Sequence, residues 1–259
     1  MSQRPHKHPR RRLREQPISR LFPNMITIAG LCCGLSAIRF ALLERWEVAV
    51  IFILAAALID GMDGRVARML GATSEFGAQL DSLSDFVCFG VAPALVLYMW
   101  LLQDIKGIGW AVVLFFAVCT ALRLARFNTA LFEDQKRPWE NQFFVGVPSP
   151  AGGLLSLLPL IINLQSEHVF TFPPIIVAMY VVLVGALMAS RIPTFSGKNI
   201  RIKHEMIPHF MIGCSVLLVI FMIESWMLLS ILSIAYMLSI PISIRYWRKL
   251  HRDSVKSSN

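Results

Sequence analysis

Charge is scarce in this sequence. Only 16% of its 259 residues are Asp, Glu, Lys or Arg, while 56% are hydrophobic; a soluble domain carries about 25% charged residues. That shortage argues against an ordinary water-soluble globule and makes a lipid bilayer the expected solvent, as the mean hydropathy of +0.60 also indicates. The basic residues gathered at the two ends have no interleaved aromatics and no folded reader motif, so a nucleic-acid partner is not expected. The five cysteines, Cys32, Cys33, Cys88, Cys119 and Cys214, lie in apolar segments without metal-ligand spacing and read as small buried hydrophobes. The histidines form no ligand pattern either. There is no repeat of fixed period, and no polar stretch is long enough for a separate soluble domain.

What the sequence has instead is apolar runs of membrane-spanning length. A spanning helix needs about 20 mostly apolar residues, and eight segments qualify: about 24–43, 48–69, 79–102, 108–126, 147–164, 172–190, 207–223 and 226–246. The first begins at Met25 and shows no small-residue cleavage site, so it is expected to be a retained helix rather than a secretion signal. The expected fold is therefore all-α, a polytopic integral membrane protein of about eight transmembrane helices. A basic tail (1–20) precedes the membrane domain (21–246), and a second basic tail (247–259) follows it. The links sort by charge. One set holds Arg65 and Arg68, then Lys136 and Arg137, then Arg191, Lys198, Arg201 and Lys203; the alternate set holds only Arg45 and Lys106. By the positive-inside rule the first set and both termini are expected in the cytoplasm, against anionic lipid.

Against this apolar background, "IDGMDGRVARMLGATSEFGAQLDSLSDF" (59–86) gathers four aspartates. With 3.6 residues per turn, Asp60, Asp63, Gly64, Ala67 and Arg68 share one helix face, and Gly77, Asp81 and Asp85 share a face of the next. Two antiparallel helices joined by a short polar turn point these acids at one another. Like charges so close need a cation between them, and hard divalent ions with oxygen ligands suit the set. Two Mg²⁺ or Mn²⁺ ions would offset four carboxylates. The cluster contains neither His nor Cys, which argues against zinc. Two-metal sites serve displacement at phosphorus, and Gly64 and Gly77 would let a nucleotide or a partner backbone come close. Spacing alone leaves two other readings open: ion pairs with Arg65, Arg68 or Arg123, or a cation-transport pathway.

Read as D-x2-D-G-x2-A-R-x8-G-x3-D-x3-D, the eight positions from Asp60 to Asp85 resemble, without a departure, the signature of the CDP-alcohol phosphotransferase family. "FPNMIT" (22–27) is similar to the start of the first helix in many members. "RLARFN" (123–128) and "FFVGVPSPAGG" (143–153) resemble segments of its bacterial and archaeal phosphatidylserine synthases. The resemblance implies a helical bundle in the bacterial cytoplasmic membrane, a homodimer, and transfer of the phosphatidyl group from CDP-diacylglycerol to L-serine with release of CMP. Choline or glycerol 3-phosphate are the alternative acceptors. It also implies residue roles: Asp60, Asp63, Asp81 and Asp85 as metal ligands, with Asp85 also the proton acceptor, and Asn24, Thr27, Gly64, Arg68, Ser74 and Gly77 around the CDP moiety. Serine is a zwitterion, and the candidates for its pocket are Arg123, Arg126, Asn128, Ser149 and Arg191.

Overall fold

A computed structural model describes residues 21–71, 74–130, 143–166, 169–195 and 206–256. The tail 1–20, the pair Lys136 and Arg137, and the group Lys198, Arg201, Lys203 and His204 lie outside the described residues. The chain is built from helices: α1 (Leu21–Leu42), α2 (Trp46–Met69), α3 (Glu75–Asp85), a π-helical turn (Phe86–Val91), α4 (Ala92–Trp100), α5 (Gly107–Ala130), α6 (Ser149–Ser156), α7 (Leu158–Gln165), α8 (Pro174–Ala189), α9 (Ile207–Ile223) and α10 (Ser225–Lys256). Four of these stretches are long and apolar enough to cross a membrane: Phe22–Leu42, Glu75–Trp100, Gly107–Thr129 and Ser225–Arg248. All eight expected segments carry helix. The fifth, however, is split at Leu157 into α6 and α7, and α8 and α9 are shorter apolar helices.

α1 packs along α2, which carries two of the acids, through small residues. On α1 the buried positions are Pro23, Thr27, Gly30, Gly34, Ala37 and Ala41, at alternating steps of four and three. On α2 the buried positions include Ala49, Ile53, Ala56 and Asp63. In lipid no hydrophobic force draws helices together, so close backbone approach along such a seam supplies the packing. The remaining core sits behind this pair, where Phe89, Leu97, Phe116, Leu160, Val181 and Met188 are fully buried. Cys88 and Cys119 belong to the buried set, as expected, but Cys32 is on the outward face of α1.

α2 stops at a glycine. Gly71 takes φ +56°, and the Leu70 and Gly71 amides donate to Val66 O and Arg68 O, closing the helix end. α3 starts at Ser74, whose side chain accepts from the Gly77 amide at 3.0 Å. α3 then packs against α1. Beyond Asp85 the helix widens into the π-turn, where the Ala92 amide donates to Val87 O, five residues back. Pro93 follows; it has no amide to donate and its ring crowds the carbonyl four residues earlier, a conflict the wider turn absorbs.

Two three-residue strands interrupt the helical pattern. β1 (Phe143–Val145) pairs antiparallel with β2 (Pro193–Phe195), with Phe144 opposite Thr194. Gly146 N donates to Ile192 O at 2.8 Å, and Thr194 Oγ1 donates to Gly146 O at 2.9 Å. This ribbon ties the entry to α6 to the exit from α8, and α10 packs across β2 and α7.

Candidate active site

Asp60 and Asp63 come from the last turns of α2, and Asp81 and Asp85 from α3. The fold brings ligand oxygens of Asp60, Asp63 and Asp81 within 4.8 Å of one another. Asp63 is buried, and Asp60 and Asp81 are half-buried. Asp85 stands beside this trio, its carboxyl within hydrogen-bonding range of that of Asp60. At an effective dielectric of about 20, unit charges at such separations repel by roughly 3 kcal/mol per pair. Hydrogen bonds from neighbours do not offset a repulsion of that size for three carboxylates, whereas an oxygen-coordinated divalent cation does. The donor set thus fits Mg²⁺ or Mn²⁺.

Thr27 joins the first helix to this centre. Its hydroxyl reaches Asp63 Oδ2 at 2.8 Å and Pro23 O at 3.2 Å, so it orients a ligand carboxylate while also bonding its own helix. Ser84 Oγ approaches Thr27 O at 3.4 Å, and the Cys88 thiol reaches Gly30 O at 3.3 Å, tying the π-turn to α1. Together with Asp60, Asp63, Asp85 and Phe89 these groups line a small cleft. Ser84 and Cys88 were not singled out by the sequence; their place in the signature helix, one residue before Asp85 and three after it, was the available signal.

The other expected nucleotide contacts fall around the α2–α3 turn. Gly64 is exposed, and a Cβ there would meet nothing within 4 Å, so this side of the site is open. Gly77 is closed in: a Cβ would come within 3.0 Å of Asn24 Oδ1 and 3.1 Å of Ser74 Oγ, so a larger residue would require these side chains to shift. Asn24 and Ser74 accordingly sit together at the mouth of the site. Arg68 is exposed, and its Nε donates to Gly64 O at 3.0 Å, leaving the rest of its planar fork facing outward.

Of the five candidates for the acceptor pocket, Arg123 and Ser149 are brought together. Ser149, fully buried at the start of α6, accepts a hydrogen bond from Arg123 Nη1, and the Arg123 guanidinium lies within electrostatic reach of Asp60 and Asp85. Asn128 is turned toward α3, where its Oδ1 accepts from Ser82 Oγ at 3.0 Å. Arg191 is exposed. Arg126 reaches across to the end of α8, donating to Ala189 O at 2.5 Å and Ser190 O at 3.3 Å. A cation on the last carbonyls of a helix satisfies acceptors that have no partner within it. Arg126→Gln is therefore expected to lower stability by about 1–3 kcal/mol in a detergent unfolding assay, with KM for the acceptor within about twofold of the parent.

The sequence profile of the CDP-alcohol phosphatidyltransferase family matches residues 20–242. The chain belongs to this family. It is 36% identical over 240 residues to a CDP-diacylglycerol–serine O-phosphatidyltransferase of Mycobacterium leprae, covering 90% of this chain and 78% of that protein. A protein of the same name from Helicobacter pylori is 34% identical over 181 residues, covering 70% of this chain and 74% of the relative. For one from Bacillus subtilis the figures are 36% over 170 residues, 66% and 87%. The chain that carries the clustered carboxylates is thus a member of a phosphatidyl-transfer family, which argues against the cation-transport reading.

Proposed function

We propose that this protein transfers the phosphatidyl group of CDP-diacylglycerol to the hydroxyl of L-serine, giving phosphatidylserine and CMP, at a site that holds two divalent cations. The observation that carries this reading is the convergence of Asp60, Asp63 and Asp81 from two helices in a chain whose relatives over most of its length bear that activity in their names. When bound, Mg²⁺ or Mn²⁺ would polarise the phosphoryl oxygens and offset the charge gathering on departing CMP.

The protein's own groups do the rest. Asp85 accepts the serine hydroxyl proton as the serine oxygen forms its bond to the phosphatidyl phosphorus and the bond from that phosphorus to the CMP oxygen breaks, with the electron pair leaving on CMP. A carboxylate is a weak base for an alcohol, its usual pKa being about 3.9. Proton transfer must therefore accompany attack rather than precede it. Asn24, Thr27, Gly64, Arg68, Ser74 and Gly77 surround the CDP moiety in this reading, Thr27 by holding Asp63. Arg123 and Ser149 form the core of the serine pocket, with Asn128 and Arg191 at its edge and Arg126 holding the α8 end that borders it.

The distribution of Lys and Arg supports a multi-pass protein of the bacterial cytoplasmic membrane, with both termini and the aspartates on the cytoplasmic side. Serine and CMP then exchange with the cytosol while the acyl chains of the substrate stay in the bilayer. The division into residues 1–20, 21–246 and 247–259 and a homodimeric state complete the reading.

The test is purified protein with CDP-diacylglycerol and labelled serine, choline or glycerol 3-phosphate. Serine is expected to give phosphatidylserine and stoichiometric CMP. EDTA should abolish both, and added Mg²⁺ or Mn²⁺ should restore them. Product from another alcohol alone would overturn the serine assignment, and CMP release indifferent to chelation would overturn the metal assignment.

A further inference from the structure

Like the Ser230 and Ser243 hydroxyls, Arg123 Nε and Tyr236 Oη are buried hydrogen-bond donors with no partner among the described residues. They come from different helices, α5 and α10, yet Tyr236 lies within electrostatic reach of the Arg123 guanidinium, which in turn lies within reach of Asp60 and Asp85. Nη1 of the same guanidinium is engaged by Ser149. The Thr194 hydroxyl, which donates to Gly146 O at 2.9 Å, lies beside Tyr236. Within 3.5 Å, however, Tyr236 Oη has no hydrogen-bond partner among the described residues.

An unpaired buried donor costs about as much as a lost hydrogen bond, and one acceptor within reach of both would satisfy the two. One donor sits on a fixed cation, which makes an anion the complementary group. A planar carboxylate, with two oxygens and several lone pairs, serves both donors at once.

We propose that Arg123 Nε and Tyr236 Oη together bind the carboxylate of the acceptor amino acid, so that Tyr236 is a specificity-determining residue. This rests on the serine reading above and adds to it the end of the substrate that is recognised and a residue on the tenth helix. The Arg123 guanidinium is within electrostatic reach of Asp85, so a serine held by its carboxylate at Arg123 can extend its hydroxyl toward that aspartate. It also explains a preference for serine over ethanolamine, the same amino alcohol without the carboxylate: with ethanolamine the two donors stay buried and unpaired.

Tyr236→Phe keeps the ring and removes only the donor. The expected result is a rise in KM for serine of roughly 10- to 100-fold, the range for losing a hydrogen bond to a charged group, with KM for CDP-diacylglycerol and kcat at saturating serine within about twofold of the parent. The ratio of serine to ethanolamine turnover by kcat/KM should fall by the same factor where ethanolamine reacts; where it does not, the KM values decide alone. An unchanged KM for serine, a loss confined to kcat, a parallel rise in KM for CDP-diacylglycerol, or failure of the variant to fold would each overturn the proposal and give the hydroxyl another role. Parent protein that makes no phosphatidylserine would instead overturn the serine reading itself, and this inference with it.

Discussion

Asp81→Asn should reduce CMP release by about 10³-fold or more at saturating substrates and Mg²⁺. Asp60 and Asp63 both come from α2, whereas Asp81 is the member of the three-carboxylate group contributed by α3. Removing its charge leaves the neighbouring helix without its share of the cluster, and with it the bridge between the two helices. Metal-derived stabilisation of a phosphoryl transition state amounts to several kcal/mol, and about 4 kcal/mol corresponds to the stated factor. Direct Mn²⁺ titration by paramagnetic resonance should show weaker or fewer bound ions.

The stability of the metal-free variant gives an independent sign. If the aspartates were structural ion-pair partners, Asp81→Asn would lower the unfolding temperature in EDTA. If they are a mutually repelling cluster awaiting cations, deleting one charge relieves two repulsions, and that temperature should rise, with a gain in unfolding free energy on the order of 1 kcal/mol. A fall in stability together with unaltered Mn²⁺ binding would count against the metal centre.

Much of this centre was legible because its parts are local in sequence. Asp60 to Asp85 span one helix hairpin, and helical periodicity alone places the acids on facing surfaces. The seam Thr27, Gly30, Gly34, Ala37 and Ala41 is just as regular, and it is the surface on which that hairpin assembles. The features that periodicity did not reveal depend on contacts between distant segments. For Arg126 the sequence offered a place in the acceptor pocket and gave no sign that α8 ends beneath it. Thr27, a nucleotide contact by resemblance, gains a further link that the sequence did not show: Asp63, 36 residues later, lies at its hydroxyl. The break at Leu157 is hidden in an apolar run whose hydropathy is indifferent to whether the helix continues, although Pro159 marks the place. The π-turn likewise leaves only Pro93 as its trace. Tyr236 had no signal at all, since a lone aromatic in a spanning helix most often faces lipid or packs in the core, and only the position of Arg123 gives its hydroxyl a meaning.

The second large effect concerns Asp85, and it separates two roles that the signature merges. The three-carboxylate group closes without it, and Asp85 stands to one side, in contact with Asp60 and within reach of Arg123. That places it between the cation cluster and the pocket from which serine is expected to attack. In Asp85→Asn the amide oxygen still offers a weak ligand but cannot take a proton. General-base catalysis contributes about 10²- to 10⁴-fold, so kcat should fall within that range. A base acts only during the chemical step, so KM for CDP-diacylglycerol and the Mg²⁺ concentration for half-activation should stay within about threefold of the parent values. A ligand acts on metal affinity, and its loss would shift the half-activating Mg²⁺ concentration by tenfold or more before any effect on kcat at saturating metal. Full turnover in the variant would remove both roles. Collapse of kcat at an unchanged metal requirement would assign the proton to Asp85 and leave Asp60, Asp63 and Asp81 as the groups that hold the cations.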